Sequence, residues 1–144
     1  MIDTSKVYII VCSKDNLALF IPPGADRAPM PLQCMPPSVP GSPVRFVSLG
    51  GDKYKVIPLH FPDRVIAAYH NSPEKELLLA SQEEEGSCYT EWGIDPNGDD
   101  KFEIHTLSGP GDEYWTSEGS GVGIRLEGSQ GKEEQQWKLV AMDD

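Results

Sequence analysis

The residues of this sequence that could do chemistry are few, and their spacing does not assemble them. The histidines are His60, His70 and His105, and the cysteines are Cys12, Cys34 and Cys88. A zinc protease needs His-Glu-x-x-His on one helix face, and a structural zinc needs closely spaced Cys or His pairs; neither pattern occurs. No Gly-x-Ser-x-Gly nucleophile turn occurs either. Gly119-Ser120-Gly121-Val122-Gly123 has the look of a phosphate loop, but no Lys-Ser/Thr follows it, so it reads as a hairpin turn. Asp95, Asp99 and Asp100 read as turn formers rather than as a calcium site, and Glu83-Glu84-Glu85 as a solvated loop. His105 alternates with Ile104 and is expected on a surface or a rim. With no convergent titratable groups, the expectation is a protein that is not an enzyme, holds no cofactor and binds no metal.

One segment does look built. Pro22-Pro23-Gly24-Ala25-Asp26-Arg27-Ala28-Pro29 joins two apolar runs and is bracketed by prolines. Each proline fixes φ near −65° and pushes its predecessor toward extended geometry. Gly24, Ala25 and Ala28 are small and leave the backbone open to approach. Arg27 is one of only four arginines; Arg45 and Arg125 fall inside strand patterns and Arg64 begins one. A stiff extended loop presenting a long cation suits the specificity slot of a trypsin-like serine protease, which has an aspartate at its floor. The guanidinium pairs bidentately with that carboxylate, and stiffness lowers the ordering cost of docking. A plain proline-rich surface loop is the competing reading.

Composition bounds the partners. Of 144 residues, 23 are acidic and 12 basic, a formal net charge of −11. Such a chain repels phosphates and anionic lipid, which argues against nucleic acid and membrane partners. The N-terminal apolar run VYIIVC lacks a basic lead-in, so no signal peptide is read, and a cytoplasmic protein with buried thiols is expected. High charge and no evident apolar patch lead to the expectation of a monomer.

The elements that must position Arg27 are given by an internal repeat. Lys6-Val7-Tyr8-Ile9-Ile10, Lys53-Tyr54-Lys55-Val56-Ile57 and Lys101-Phe102-Glu103-Ile104-His105 start 47 and 48 residues apart. Phe46, Trp92 and Trp137 recur 46 and 45 residues apart. Two independent markers at nearly one period imply three copies of one unit. Period-2 runs place strands at 7–12, 17–21, 31–35 and 44–48, then 54–59, 65–70, 77–81 and 89–94, then 102–107, 114–117, 123–127 and 136–141. Twelve strands in three pseudo-repeats predict an all-β fold, the β-trefoil: a six-stranded barrel with a three-hairpin cap. A single domain over 1–144 is expected, with repeats near 6–52, 53–100 and 101–144. Phe46, Trp92 and Trp137 are expected to meet near the pseudo-threefold axis.

The three copies, the size and the ending Gln136-Trp137-Lys138-Leu139-Val140 resemble the mushroom β-trefoil protease inhibitors. The segment EGSCYTEWGIDPNGDDKFEI, residues 85–104, resembles the matching third of the mycocypins, which inhibit cysteine proteases. The Arg27 loop is more similar to the fungal trypsin inhibitors typified by cospin, which use the loop between strands two and three with an Arg before the scissile bond. That resemblance implies Arg27 as the primary protease contact, with Ala28 after the target bond and Gly24, Ala25 and Asp26 as flank. It also implies a defence role in fruiting bodies.

Two alternatives stay open. A mycocypin-type inhibitor of papain- or legumain-like proteases has Asn71, in His70-Asn71-Ser72-Pro73, as a second inhibitory site, and the Gly50-Gly51 pair as a weaker feature. A carbohydrate-binding lectin has one Q-x-W pattern of the ricin-B type, Gln135-Gln136-Trp137, and Tyr114-Trp115 as a stacking platform.

Overall fold

The computed structural model describes residues 2–22, 31–36, 38–69, 75–81, 86–96, 98, 100–107, 113–128 and 133–142. Alternation of apolar and polar residues produces thirteen strands. The first copy holds β1 (Val7–Cys12), β2 (Ala18–Phe20), β3 (Gln33–Met35) and β4 (Val44–Gly50). The second holds β5 (Lys53–Pro58), β6 (Val65–Tyr69), β7 (Leu78–Ala80), β8 (Cys88–Tyr89) and β9 (Trp92–Pro96). The third holds β10 (Phe102–Thr106), β11 (Glu113–Thr116), β12 (Arg125–Gly128), a 3-10 turn (Glu133–Gln135) and β13 (Trp137–Ala141).

Strands β1, β4, β5, β9, β10 and β13 pair in that order, and β13 pairs β1, which closes a six-stranded antiparallel barrel. Closure removes the exposed edges that invite aggregation. The pairs β2–β3, β6–β7 and β11–β12 are the three cap hairpins. The fold is the expected β-trefoil. One expectation needs correcting: the single strand read over 89–94 is two. Cys88 and Tyr89 pair with β6, and only from Trp92 onward does the chain join the barrel against β5 and β10. Thr90 and Glu91 sit at the change of partner.

Three hydrogen bonds lie at the pseudo-threefold axis. Leu32 N–H donates to Leu77 O at 2.8 Å, Leu77 N–H to Ile124 O at 2.8 Å, and Ile124 N–H to Leu32 O at 2.9 Å. All three residues are fully buried. The cycle ties each cap hairpin to the other two and satisfies three donors and three acceptors with no water needed. Beneath it lie apolar layers that repeat with the symmetry: Leu19, Ile66 and Trp115; Phe46, Trp92 and Trp137; Ile10, Val56 and Ile104. Trp115 meets Trp92 and Trp137 edge-on, with ring centroids 5.3 and 6.0 Å away. Edge-to-face contact is the favoured geometry for aromatic quadrupoles.

The indoles also hold the hairpins to the barrel. Trp92 Nε1 donates to Ile66 O and Trp137 Nε1 to Trp115 O, both at 3.0 Å. In the first copy the residue is Phe46, which has no donor. There the equivalent carbonyl, Leu19 O, is instead satisfied by Ser42 N–H at 2.9 Å. By contrast, Trp115 Nε1 is buried without an acceptor among the described residues.

This asymmetry predicts a ranking. Trp137→Phe should destabilise the protein by about 1–3 kcal/mol through the orphaned carbonyl, beyond any loss of packing. Trp115→Phe, which discards an unpaired donor, should cost less. Urea unfolding of the two variants measures the difference; equal midpoints would contradict it.

Candidate functional site

In a trefoil the barrel is scaffold, so a binding site is sought on the loops. The three cap hairpins are equivalent, yet their loops differ in length. Between the layer residue and the axial residue lie twelve residues in the first copy (Leu19 to Leu32), ten in the second (Ile66 to Leu77) and eight in the third (Trp115 to Ile124). The longest of the three contains the Pro-bracketed segment. The β2–β3 ladder below it pairs Ala18 with Met35, Leu19 with Cys34 and Phe20 with Gln33.

Both ends of this loop are fastened. On the entry side Ile21 is buried, and its N–H donates to Ser42 Oγ at 2.9 Å. Pro22, next along, is buried as well. On the exit side Leu32 takes part in two of the three axial hydrogen bonds. Gly24, Ala25, Asp26, Arg27 and Ala28 themselves lie outside the described residues, and so does Asn71.

Beside the exit, the β11–β12 turn runs along β3. Gln33 bridges Gly123, Cys34 bridges Ser120, and Gly121 N–H donates to Cys34 O at 3.0 Å. Gly123 sits where two other segments approach its backbone closely. A Cβ at that position would collide with the Glu76 carboxylate and come within 3.0 Å of Pro31 Cβ. Glu76 thus occupies the space that a side chain would take, and Pro31 packs against the same spot. Gly119 and Gly121, with φ of +136° and +74°, confirm the glycine-rich stretch as a hairpin turn.

The other sequence candidates fall into structural roles. His105 is not a surface residue: it is 7% exposed. Its Nδ1 faces Thr106 O at 2.8 Å and its Nε2 faces Asp95 Oδ2 at 2.7 Å. Both ring nitrogens face oxygen partners, and these two contacts fix the orientation of the ring. Asp95 belongs to β9 and not to a turn, and Gly93 opposite makes room, since a Cβ there would overlap the imidazole. Trp115 is in the core, which ends the stacking platform proposed with Tyr114. Gln135 of the Q-x-W pattern is buried, with its Nε2 donating to Gly128 O at 2.8 Å and Thr116 Oγ1 at 3.2 Å. Gly50 and Gly51, with φ of +103° and +58°, make the tight β4–β5 turn.

At the far end of the barrel a hollow of about 510 Å³ is lined by Tyr54, Ile94 and Phe102 with Ser48 and Asp52 at its rim. No nucleophile–base pair lines it. Among the described residues no group of His, Cys, Asp and Glu could hold a metal, and no helix is long and apolar enough to cross a membrane.

No family model and no curated protein matches this sequence. Solved structures match it in fold. A designed threefold-symmetric protein, ThreeFoil, is 19% identical, with 94% of this chain and 99% of that one covered and a TM-score of 0.77. A ricin B-like lectin from Macrolepiota procera, solved in complex with lactose, is 12% identical over 97% of this chain and 98% of its own, with a TM-score of 0.75. The BEL β-trefoil is 8% identical over 99% and 97%, with a TM-score of 0.72. These identities are low, and the likeness establishes the β-trefoil fold.

The three thiols are buried. Burial pushes the Cys34 thiol up to about 12, and burial raises Cys12 as well. An unfolded thiol ionises near pH ~8.5. The folded chain therefore keeps protons that the unfolded chain loses, so this contribution is intact below about pH 8.5 and fades as pH rises toward the folded value. In Cys34→Ala the loss of stability between pH ~8.5 and ~11 should be shallower than in the parent. Urea midpoints across that range measure it; parallel curves would count against the burial account.

Proposed function

We propose that this chain is a non-catalytic recognition protein that inhibits trypsin-like serine proteases through the β2–β3 loop. The observation that carries this reading is the length asymmetry: one of three equivalent loops is longer than the other two, its described ends at Ile21 and Leu32 are fastened, and its sequence contains Arg27. Arg27 enters the acidic specificity slot and pairs with the carboxylate at its floor. Ala28 follows the bond presented to the protease, with Gly24, Ala25 and Asp26 on the approach side. Anchoring Ile21 and Leu32 to the cap lowers the entropy lost on docking and holds the two sides of that bond in register, so a substrate-like loop acts as an inhibitor. The resemblance to the mushroom β-trefoil inhibitors supports the same residue and a role in fungal defence. The chain acts as a monomer on this reading.

Carbohydrate binding is the second reading, and of the two it has the structural comparisons behind it, through the ricin B-like lectin solved with lactose. Against it, Gln135 and Trp115 are spent inside the fold, so a sugar site has to be built from other residues. For a cysteine protease target, Asn71 is the residue that would have to act.

A panel of trypsin, papain and legumain assays, with a glycan array that includes lactose, separates these readings. Trypsin inhibition is expected. Arg27→Ala should weaken it by more than ~2 kcal/mol, roughly thirtyfold, because it removes a central anchor. Arg27→Lys should retain weaker inhibition, since the ammonium reaches the slot without the guanidinium fork. Unchanged inhibition by the Ala variant would refute the assignment, and lactose binding without inhibition would transfer it to the lectin reading.

A further inference from the structure

Three hairpins plug the barrel at the cap end; at the other end only side chains can close it. Strands β1, β5 and β10 bring Tyr8, Tyr54 and Phe102 to that mouth. Each lies two residues before Ile10, Val56 or Ile104 and so on the same inward face. The ladder sets a small residue opposite each ring: Ala141 opposite Tyr8, Ser48 opposite Tyr54 and Pro96 opposite Phe102. Such partners are too short to cover the rings. At Tyr8 the N-terminal segment does so instead: Asp3 N–H donates to the Tyr8 hydroxyl at 3.0 Å, and Ile2 is buried in the core cluster. The other two rings open onto the hollow of about 510 Å³, which Tyr54 and Phe102 line and Tyr8 does not. Small-molecule sites typically measure about 300–1,000 Å³.

The lining selects a ligand. Ile2, Tyr54 and Ile94 are buried, and Phe102 packs against the same core, so the hollow favours an apolar body. A sugar would bring hydroxyls against these surfaces, and each one left unpaired there costs binding energy. Charge narrows the choice further. Asp52 lines the hollow on the solvent side, and its backbone is fixed because its carbonyl accepts from Ile94 N–H at 3.0 Å. Among the described residues no lysine or arginine lines the hollow, and the chain carries a net charge of −11, so a cation is attracted and an anion repelled. The Tyr8 hydroxyl is engaged by Asp3, whereas the Tyr54 hydroxyl bonds no group among the described residues and is left for a ligand.

We propose that this hollow binds a small arylalkylamine. The aromatic ring lies against Tyr54, Ile94 and Phe102, and the ammonium pairs with the Asp52 carboxylate. Ser48 is what keeps the space open, since a large side chain opposite Tyr54 would fill it. The site is at the end of the barrel away from the cap hairpins and is independent of the reading of Arg27.

The test titrates the ¹⁵N-labelled protein with phenethylamine, 3-phenylpropionate and lactose, following the amide signals of Gly51, Asp52 and Ile94. Phenethylamine should shift these signals saturably, and 3-phenylpropionate, with the same ring and the opposite charge, should not. Ser48→Leu should abolish the shifts while the amide spectrum away from the mouth stays the parent's, which shows that the variant folds. Asp52→Asn keeps the shape and removes the charge, and should weaken binding roughly fivefold, the worth of one solvent-facing ion pair. No saturable shift with phenethylamine in the parent would overturn the proposal. So would equal binding of the carboxylate, or unchanged amine binding by a folded Ser48→Leu. Lactose shifting these signals where the amine does not would overturn it in favour of a sugar. Trypsin inhibition, measured on the same samples, should be equal in the parent and Ser48→Leu; a loss in a folded Ser48→Leu would contradict the independence of the two sites.

Discussion

Three backbone hydrogen bonds, among Leu32, Leu77 and Ile124, decide how this molecule is put together. They form a closed cycle at the axis, so no hairpin can shift without breaking two of them. Each is buried, where a lost partner costs about 1–3 kcal/mol. The apolar layers beneath repeat with the same symmetry because the barrel interior offers the same space three times. The indole donors of Trp92 and Trp137 then hold two hairpins to the barrel wall, and Ser42 does the same for the first hairpin, where Phe46 cannot.

The consequence for function is a division of labour. The axis and layers are tightly constrained, whereas the loops between layer and axis change length freely, from eight residues to twelve. A long insertion costs little in loop-closure entropy when its ends are already fixed. The first copy uses that freedom and places Arg27 in the longest loop, between a buried entry at Ile21 and Pro22 and an exit tied into the axial cycle.

Much of the fold was legible in the sequence because the fold is repetitive. Lys6, Lys53 and Lys101 marked the starts of the copies, and Phe46, Trp92 and Trp137 marked the buried layer, since equivalent sites in a threefold barrel demand equivalent residues. The break between β8 and β9 was not legible. Alternation reports which face a residue shows, not which strand it pairs with, and the chain changes partner at Thr90 and Glu91 without changing pattern. The burial of His105 was missed for a similar reason. Its polarity suggested a surface, but Gly93 between Trp92 and Ile94 carried the contrary signal: a glycine inside a strand pattern marks close approach by a neighbour. The axial cycle involves backbone atoms alone and leaves no mark in residue types. Of the proposed site, Arg27 and its prolines stand out in the sequence by type and lie outside the described residues, while the fastening of Ile21 by Ser42 and the contact of Gly123 with Glu76 depend on approaches between distant segments that no local pattern reports.

The central claim is that the scaffold presents Arg27 to an acidic specificity slot. A crystal structure of the complex with trypsin examines that claim most directly. The account predicts the Arg27 guanidinium paired with the aspartate at the floor of the slot and the β2–β3 loop lying across the catalytic groove. A complex that leaves the slot empty, or that engages trypsin through another face of the barrel, would contradict it.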